Sequence, residues 1–360
     1  MPNRPHPAPL SPRPCAASLT EPGPDRKESR QSDGYDPCFR RRRIFGRETI
    51  RRPRWRAGRE EARLQGCDIS VVVPAVNSLD DLRGCLKALS RQRGVRVEVI
   101  VVDRLGERVR AELAIAFPEA VIVPVPADCP IPAMRAAGFR AARAPAIGVI
   151  EDHVIVPEDW AERMLAALAE GHDVVGGAIE NAATARHVDW AAFLCEYSAS
   201  LPPLPAGPSA GVPGNNVVYR KAVLDRYQAV IDEHKWENRL HDAMRADGID
   251  LIMRPDIVVG HKMHYTVWLY TSQRFLYSRS YAGARVAGAS LARRLAMGAA
   301  AFALPPLMFW RTVRRIVAKR QHIGHLLRSL PLLSLFVLSW GAGEVAGYWF
   351  GAGNSLSKVR

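Results

Sequence analysis

Five apolar residues, Ala146-Ile147-Gly148-Val149-Ile150, run straight into Glu151-Asp152-His153. The run is short, uninterrupted and flanked by helical patterns, so it reads as a buried strand whose end carries two carboxylates and an imidazole. On an extended chain Glu151 and His153 face one way and Asp152 the other. Carboxylate and imidazole gathered at one point suit a divalent cation such as Mg²⁺ or Mn²⁺. The end of a parallel strand is also where α/β folds place their ligands.

The surrounding order supports that placement. Asp68 to Pro74 forms an apolar strand pattern, and Leu79, Leu82, Leu86 and Leu89 then repeat at helical spacing behind a Ser78/Asp81 cap. Val97 to Asp103 is a second strand that ends on an acid. Helices are expected over 107–117, 131–143 and 157–170, and strands over 120–125 and 173–179. Such alternation with short links means a parallel sheet covered on both faces. Beyond residue 180 the pattern loosens. Helices are expected over 188–200 and 237–247, a tight turn into a short strand over Pro213–Arg220, and a strand over Asp250–Met253. The Pro/Gly-rich loop Leu201–Pro213 is long enough to act as a lid.

Charge divides the chain. Residues 1–66 hold sixteen Lys/Arg against eight Asp/Glu, and residues 285–360 hold eleven against one, although the whole chain is only +14. The middle is therefore slightly acidic. A nucleic-acid enzyme would carry its basic surface on the folded domain, whereas basic ends around an acidic domain fit anionic lipid. Residues 1–66, with arginine runs at 39–45 and 51–56, are expected to be disordered and lack the apolar core of a secretory signal. The six cysteines form no CxxC pair, so no disulfide framework and a reducing compartment are expected.

Taken together, the motifs resemble a family 2 glycosyltransferase of the GT-A fold over about residues 67–265. Val71 to Asn77, including Pro74, Val76 and Asn77, looks like the family's first strand and nucleotide loop. Asp103 stands where the family has the acid that recognises the base. Met134-Arg135-Ala136-Ala137-Gly138 with Arg143 looks like the arginine–glycine helix ahead of the metal motif, and Glu151-Asp152-His153 sits in the place of Asp-x-Asp. Gly214-Asn215-Asn216 is similar to the acceptor-side turn, and Trp236 to Leu240 to the helix that carries the catalytic base. Glu and His replace the outer aspartates of the metal motif, which shifts preference from Mg²⁺ toward Mn²⁺.

The resemblance implies a mixed Rossmann-like sheet and an enzyme that uses a UDP- or GDP-sugar with a divalent cation. Glu151 and His153 would hold the metal, and Pro74, Val76, Asn77, Asp103, Arg135 and Asp152 the donor. Gly214, Asn215 and Asn216 would meet the acceptor, and Glu237 would act as base. His241 would orient Glu237 or pack, and His261 and His264 follow a strand where some relatives supply a further ligand. The implied reaction is inverting transfer to a hydroxyl of a lipid-linked or surface glycan. Transfer to a polyprenyl phosphate and an inactive nucleotide-sugar-binding scaffold are the alternatives. No nucleic-acid partner is expected.

Residues 266–360 are expected to be helical and membrane-associated, at the cytoplasmic face of an inner membrane. Leu295–Trp310 is uncharged and too short to span, so it is expected to dip in and return at Pro305-Pro306. Ser329–Gly353 is long enough to span but carries Glu344, which needs a partner such as Arg328 or a place near an interface.

Overall fold

A computed structural model describes residues 66–359 of the chain. The basic extension expected over 1–66, with both arginine runs, lies outside the described residues apart from Gly66. The alternating segment gives β1 (Ile69–Ala75), α1 (Leu79–Leu89), β2 (Val97–Asp103), α2 (Glu107–Ala116), β3 (Val121–Pro124), α3 (Ile131–Ala141) and β4 (Ala146–Ile150). After it come β5 (Val154–Ile155), α4 (Trp160–Ala169), β6 (Val174–Asn181), α5 (His187–Tyr197), β7 (Gly207–Ser209) and β8 (Asn216–Arg220). Two short helices, α6 (Lys221–Arg226) and α7 (Gln228–Ile231), lead to α8 (Glu237–Ala246) and β9 (Leu251–His261).

The strands make one mixed sheet in the order β3-β2-β1-β4-β8-β6-β9-β5, with β7 paired to β9. β1 runs parallel to both β2 and β4, while β8 lies antiparallel between β4 and β6. Because β1 and β4 are neighbours, the Val76–Asn77 loop and the Glu151–His153 turn emerge side by side at the same sheet edge. Each face carries its own core: Val71 and Val73 pack with Leu82 and Leu86, and Val72 packs with Met134 and Ala137. Ser78 caps α1 by accepting from Asp81 N, as its spacing indicated.

Two expectations change here. The strand expected to stop at Met253 continues to His261, because the pairing with β6 shifts between Gly177 and Ala178 and the Pro255 region bulges out. A bulge is where a strand tolerates proline. The loop 201–213 is not a free lid, since β7 within it pairs antiparallel with β9. Cys85 and Cys195 are free thiols.

The C-terminal region consists of α9 (Val267–Arg285), α10 (Leu291–Ala300), a 3₁₀ turn (Ala301–Ala303), α11 (Leu304–Lys319) and α12 (Ile323–Phe350). Leu295–Trp310 does not fold back at the prolines. Pro305 and Pro306 sit in the first turn of α11, where their missing N–H groups cost nothing. From there α10 and α11 run antiparallel along α12. Arg294 reaches the Tyr348 and Trp349 carbonyls, Pro305 meets Gly341, and Ile316 shares a core with Leu326 and Leu333.

Of the described helices, α12 alone is long and apolar enough to cross a bilayer. It also packs along the domain. Phe336 packs on Tyr270, His325 stacks on Trp190 with ring centroids 3.9 Å apart, and Lys319 bonds the carbonyls of Leu201 and Pro203. Fully burying a side chain the size of Leu333, Phe336 or Ile316 contributes about 1.5–3 kcal/mol each. Glu344 is buried and accepts from Trp340 Nε1 rather than pairing with Arg328.

Close approach of α12 to α9 depends on Gly343 and Gly347, one turn apart. A Cβ at Gly343 would lie 2.4 Å from the Phe275 carbonyl oxygen, and one at Gly347 2.5 Å from that of Arg279. Backbone cannot yield cheaply, so Gly343→Leu or Gly347→Val should destabilise by about 1–3 kcal/mol or more. A thermal melt should show a Tm lower by roughly 2–4 °C per kcal/mol. An unchanged melt would contradict this packing.

Candidate active site

The site begins where β4 ends. Glu151, Asp152 and His153 form a tight turn, closed by Val154 N–H donating to the Glu151 carbonyl. β5 then pairs antiparallel with the end of β9, so Val154 lies opposite His261. That pairing brings together three groups: a Glu151 oxygen and the ring nitrogens of His153 and His261 lie within 4.8 Å of one another. The His153 and His261 Nε2 atoms are 2.8 Å apart, and Glu151 Oε2 is 3.4 Å from His153 Nε2. One carboxylate and two imidazoles fit a divalent cation, and two nitrogens favour Mn²⁺ over the oxygen-seeking Mg²⁺.

Electrostatics agree with a place prepared for positive charge. Burial alone would raise the Glu151 pKa, but His153, His261 and Arg135 hold it well below the usual carboxylate range. Burial likewise opposes a charge on His153, yet bonds to Asp152 and Glu151 push its pKa up to about 10. Burial and the neighbouring His153 keep His261 well below its ordinary value. Asn215 fixes Glu151 from the far side, donating to Oε2 at 2.9 Å and to Tyr197 Oη at 3.0 Å.

Asp152 faces the other way. Its fully buried carboxylate accepts from Val76 N (2.7 Å), Asn77 N (2.8 Å) and Asn77 Nδ2 (2.7 Å). It therefore ties the loop after β1 to the metal-motif turn, and Asn77 Nδ2 also lies 3.1 Å from His153 Nδ1. Pro74, buried in β1, sets the start of that loop.

Arg135, projecting from α3, joins the two halves of the site. It bonds Glu237 Oε2 at 2.6 Å and lies 3.7 Å from Glu151 Oε1. All three line a cavity of about 400 Å³ with Gly214 and Asn215. Glu237 opens α8, where the helix dipole favours a carboxylate. A Cβ at Gly214 would lie 2.5 Å from Glu237 Cδ, so a larger residue there would displace the Glu237 side chain.

Other expected residues stand elsewhere. Asp103 is fully buried, and Leu105 N, Gly106 N and Arg110 occupy its oxygens, so it shapes the loop after β2. Asn216 is also fully buried; it receives Trp160 Nε1 and donates to the Ala178 and Ile257 carbonyls, which makes it a brace across the sheet. His241 bonds Tyr219 Oη at 2.7 Å and packs in the core instead of orienting Glu237. His264 lies 3.2 Å from Asp189, which also receives the Tyr265 N–H.

Sequence reasoning raised His261 and His264 together as standing where some relatives supply a further ligand; the β5–β9 pairing that brings His261 to the cluster has no local signature. Sequence reasoning missed the far wall of the cavity. Arg274 and Tyr277 of α9, Arg311 and Arg315 of α11 and Trp340 of α12 all face in. The sequence hint was the polar group Arg311, Thr312 and Arg315 in the basic link between two apolar stretches.

Residues 70–227 match the family model described as glycosyl transferase family 2. The chain carries a family 2 glycosyltransferase domain. No curated protein matches the chain. The matched stretch holds β1 to β8, the Glu151–His153 turn and Asn215. Glu237, His261 and the helical wall of the cavity lie beyond it.

If His261 is a ligand, His261→Ala should weaken Mn²⁺ binding by at least about tenfold in isothermal titration, comparable to or beyond the loss of an outer-shell partner. Equal affinity would remove His261 from the set. A second expectation concerns pH. Burial, foremost, lowers the His241 pKa to about 4. The fold then favours neutral His241, and that contribution is complete above the unfolded value of about 6.5 and lost as pH falls toward 4. Between those values wild type should lose up to about 3 kcal/mol relative to His241→Gln. Parallel Tm–pH curves for the two proteins would contradict this.

Proposed function

We propose that the protein is an inverting, metal-dependent glycosyltransferase acting at the cytoplasmic face of an inner membrane. It moves a sugar from a UDP- or GDP-sugar to a hydroxyl of a lipid-linked or surface glycan. The observation that carries this reading is Arg135, which holds a candidate cation ligand, Glu151, and a candidate base, Glu237, in one cavity.

Glu151, His153 and His261 would hold Mn²⁺ or Mg²⁺, which supplies charge stabilisation to a diphosphate leaving group. The Asp152-tied loop at Val76 and Asn77 would border the nucleotide. Glu237 accepts the proton of the acceptor hydroxyl as its oxygen attacks the anomeric carbon. The bond from that carbon to the diphosphate breaks, and its electron pair leaves with the nucleoside diphosphate. Attack opposite the leaving group inverts the centre, and Glu237 later releases its proton to water. Arg135 keeps Glu237 oriented, and Gly214 leaves room for the acceptor.

Membrane association is supported by the outer face of the α10–α12 layer. Leu295, Phe302, Leu307, Trp310, Leu327 and Leu338 are exposed there, beside basic residues such as Arg314 and Arg320. An apolar face edged with arginines suits in-plane docking on anionic lipid.

Glu237→Gln keeps shape but removes the proton acceptor. It should lower turnover by about 10²–10⁴-fold with donor affinity unchanged, and NMR of the wild-type product should show the inverted anomer. Retained configuration would overturn the mechanism. Near-normal turnover of the variant would favour an acceptor that is already an anion, such as a polyprenyl phosphate.

A further inference from the structure

Helix α11 has two functional faces. Met308, Arg311, Thr312 and Arg315 recur at helical spacing and line the cavity, while Leu307, Trp310 and Val317 are exposed on the other side. The cavity is thus separated from the exposed apolar layer by a single helix.

The charges inside are unequally matched. Arg135 is paired with Glu237 and Glu151, and Arg274 with Glu196 at 3.1 Å. Arg274 is buried among Tyr270, Tyr277 and Trp340, and its Nε has no hydrogen-bond partner. Arg311 and Arg315 line the same cavity without a carboxylate partner among the described residues. One turn further on, burial and then the like charge of Arg315 pull Lys319 below its ordinary pKa, consistent with a local excess of positive charge. Two forked guanidiniums one turn apart, with a third behind them, match the geometry of phosphate oxygens.

We infer that Arg311 and Arg315, backed by Arg274, form a subsite for a phosphate or diphosphate group on the acceptor, whose apolar portion lies along the outer side of α11. This rests on the glycosyltransferase reading above and narrows its acceptor to a phosphate-bearing lipid. The donor diphosphate belongs to the Glu151 end of the cavity, where Glu151 adjoins His153 and His261, so the two anions have separate partners. The reacting hydroxyl would lie between them, at Glu237.

Geranyl diphosphate, geraniol and inorganic pyrophosphate serve as probes, titrated in EDTA so that the cation cluster cannot hold a diphosphate. Tryptophan fluorescence reports binding, since Trp236 and Trp340 line the cavity. Wild type should bind geranyl diphosphate at least about tenfold more tightly than geraniol, and more tightly than pyrophosphate. Arg311→Ala/Arg315→Ala should lose at least about tenfold for geranyl diphosphate and nothing for geraniol, with an unchanged melt. Arg311→Lys/Arg315→Lys should fall between, because charge survives without the fork. Equal affinity of wild type and double variant for geranyl diphosphate would overturn the subsite. So would a double variant that keeps that affinity but loses binding to phosphatidylglycerol vesicles, since the arginines would then serve bulk lipid. UDP- and GDP-sugar binding with Mn²⁺ is measured on the same proteins. Intact donor binding without phosphate discrimination refutes the subsite alone, whereas no donor binding by wild type refutes the parent reading.

Discussion

Asp152 is the contact on which the arrangement of this site depends. A carboxylate taken fully out of water is costly unless its oxygens are hydrogen-bonded, and Asp152 meets that condition with three N–H groups from Val76 and Asn77. Bonds to a charged acceptor contribute about 1.5–3 kcal/mol each, so the tips of β1 and β4 are fastened together. With Asp152 committed to that side, Glu151 and His153 turn to the other. There they meet His261, delivered by the short β5–β9 pairing.

The legibility of this molecule in its sequence follows the range of the interactions. β2 and the starts of α2, α3 and α8 were readable because strand and helix periodicity and end signals are local. Glu151 and His153 stood out as a polar turn on an apolar strand. What could not be read required partners far away in sequence. His261 reaches the cluster across 108 residues, and Asp103 and Asn216 look like ligand contacts until their bonds to Arg110 and Trp160 are seen. The extent of β9 was hidden by a bulge at Pro255, since proline inside a strand pattern reads locally as an end.

The tail shows the same limit more strongly. Composition marks α10 to α12 as apolar and basic, which describes a membrane segment and a packed helical layer equally well. Gly343 and Gly347 decide how closely α12 approaches α9, and Ile316, Leu333 and Phe336 then complete cores shared with the domain. In the proposed reading the layer serves two surfaces at once. Its inner face walls the acceptor side of the cavity, and its outer face meets lipid, so an acceptor need not leave the membrane to reach Glu237.

The central claim is that Glu151, His153 and His261 form one cation site serving a nucleotide-sugar. The most direct measurement is a crystal structure with Mn²⁺ and a nucleoside diphosphate, with anomalous scattering recorded at the manganese edge. The account predicts one strong anomalous peak within bonding distance of Glu151, His153 and His261 and of the diphosphate oxygens. A diphosphate bound with no peak there, or a peak held by other side chains, would contradict it.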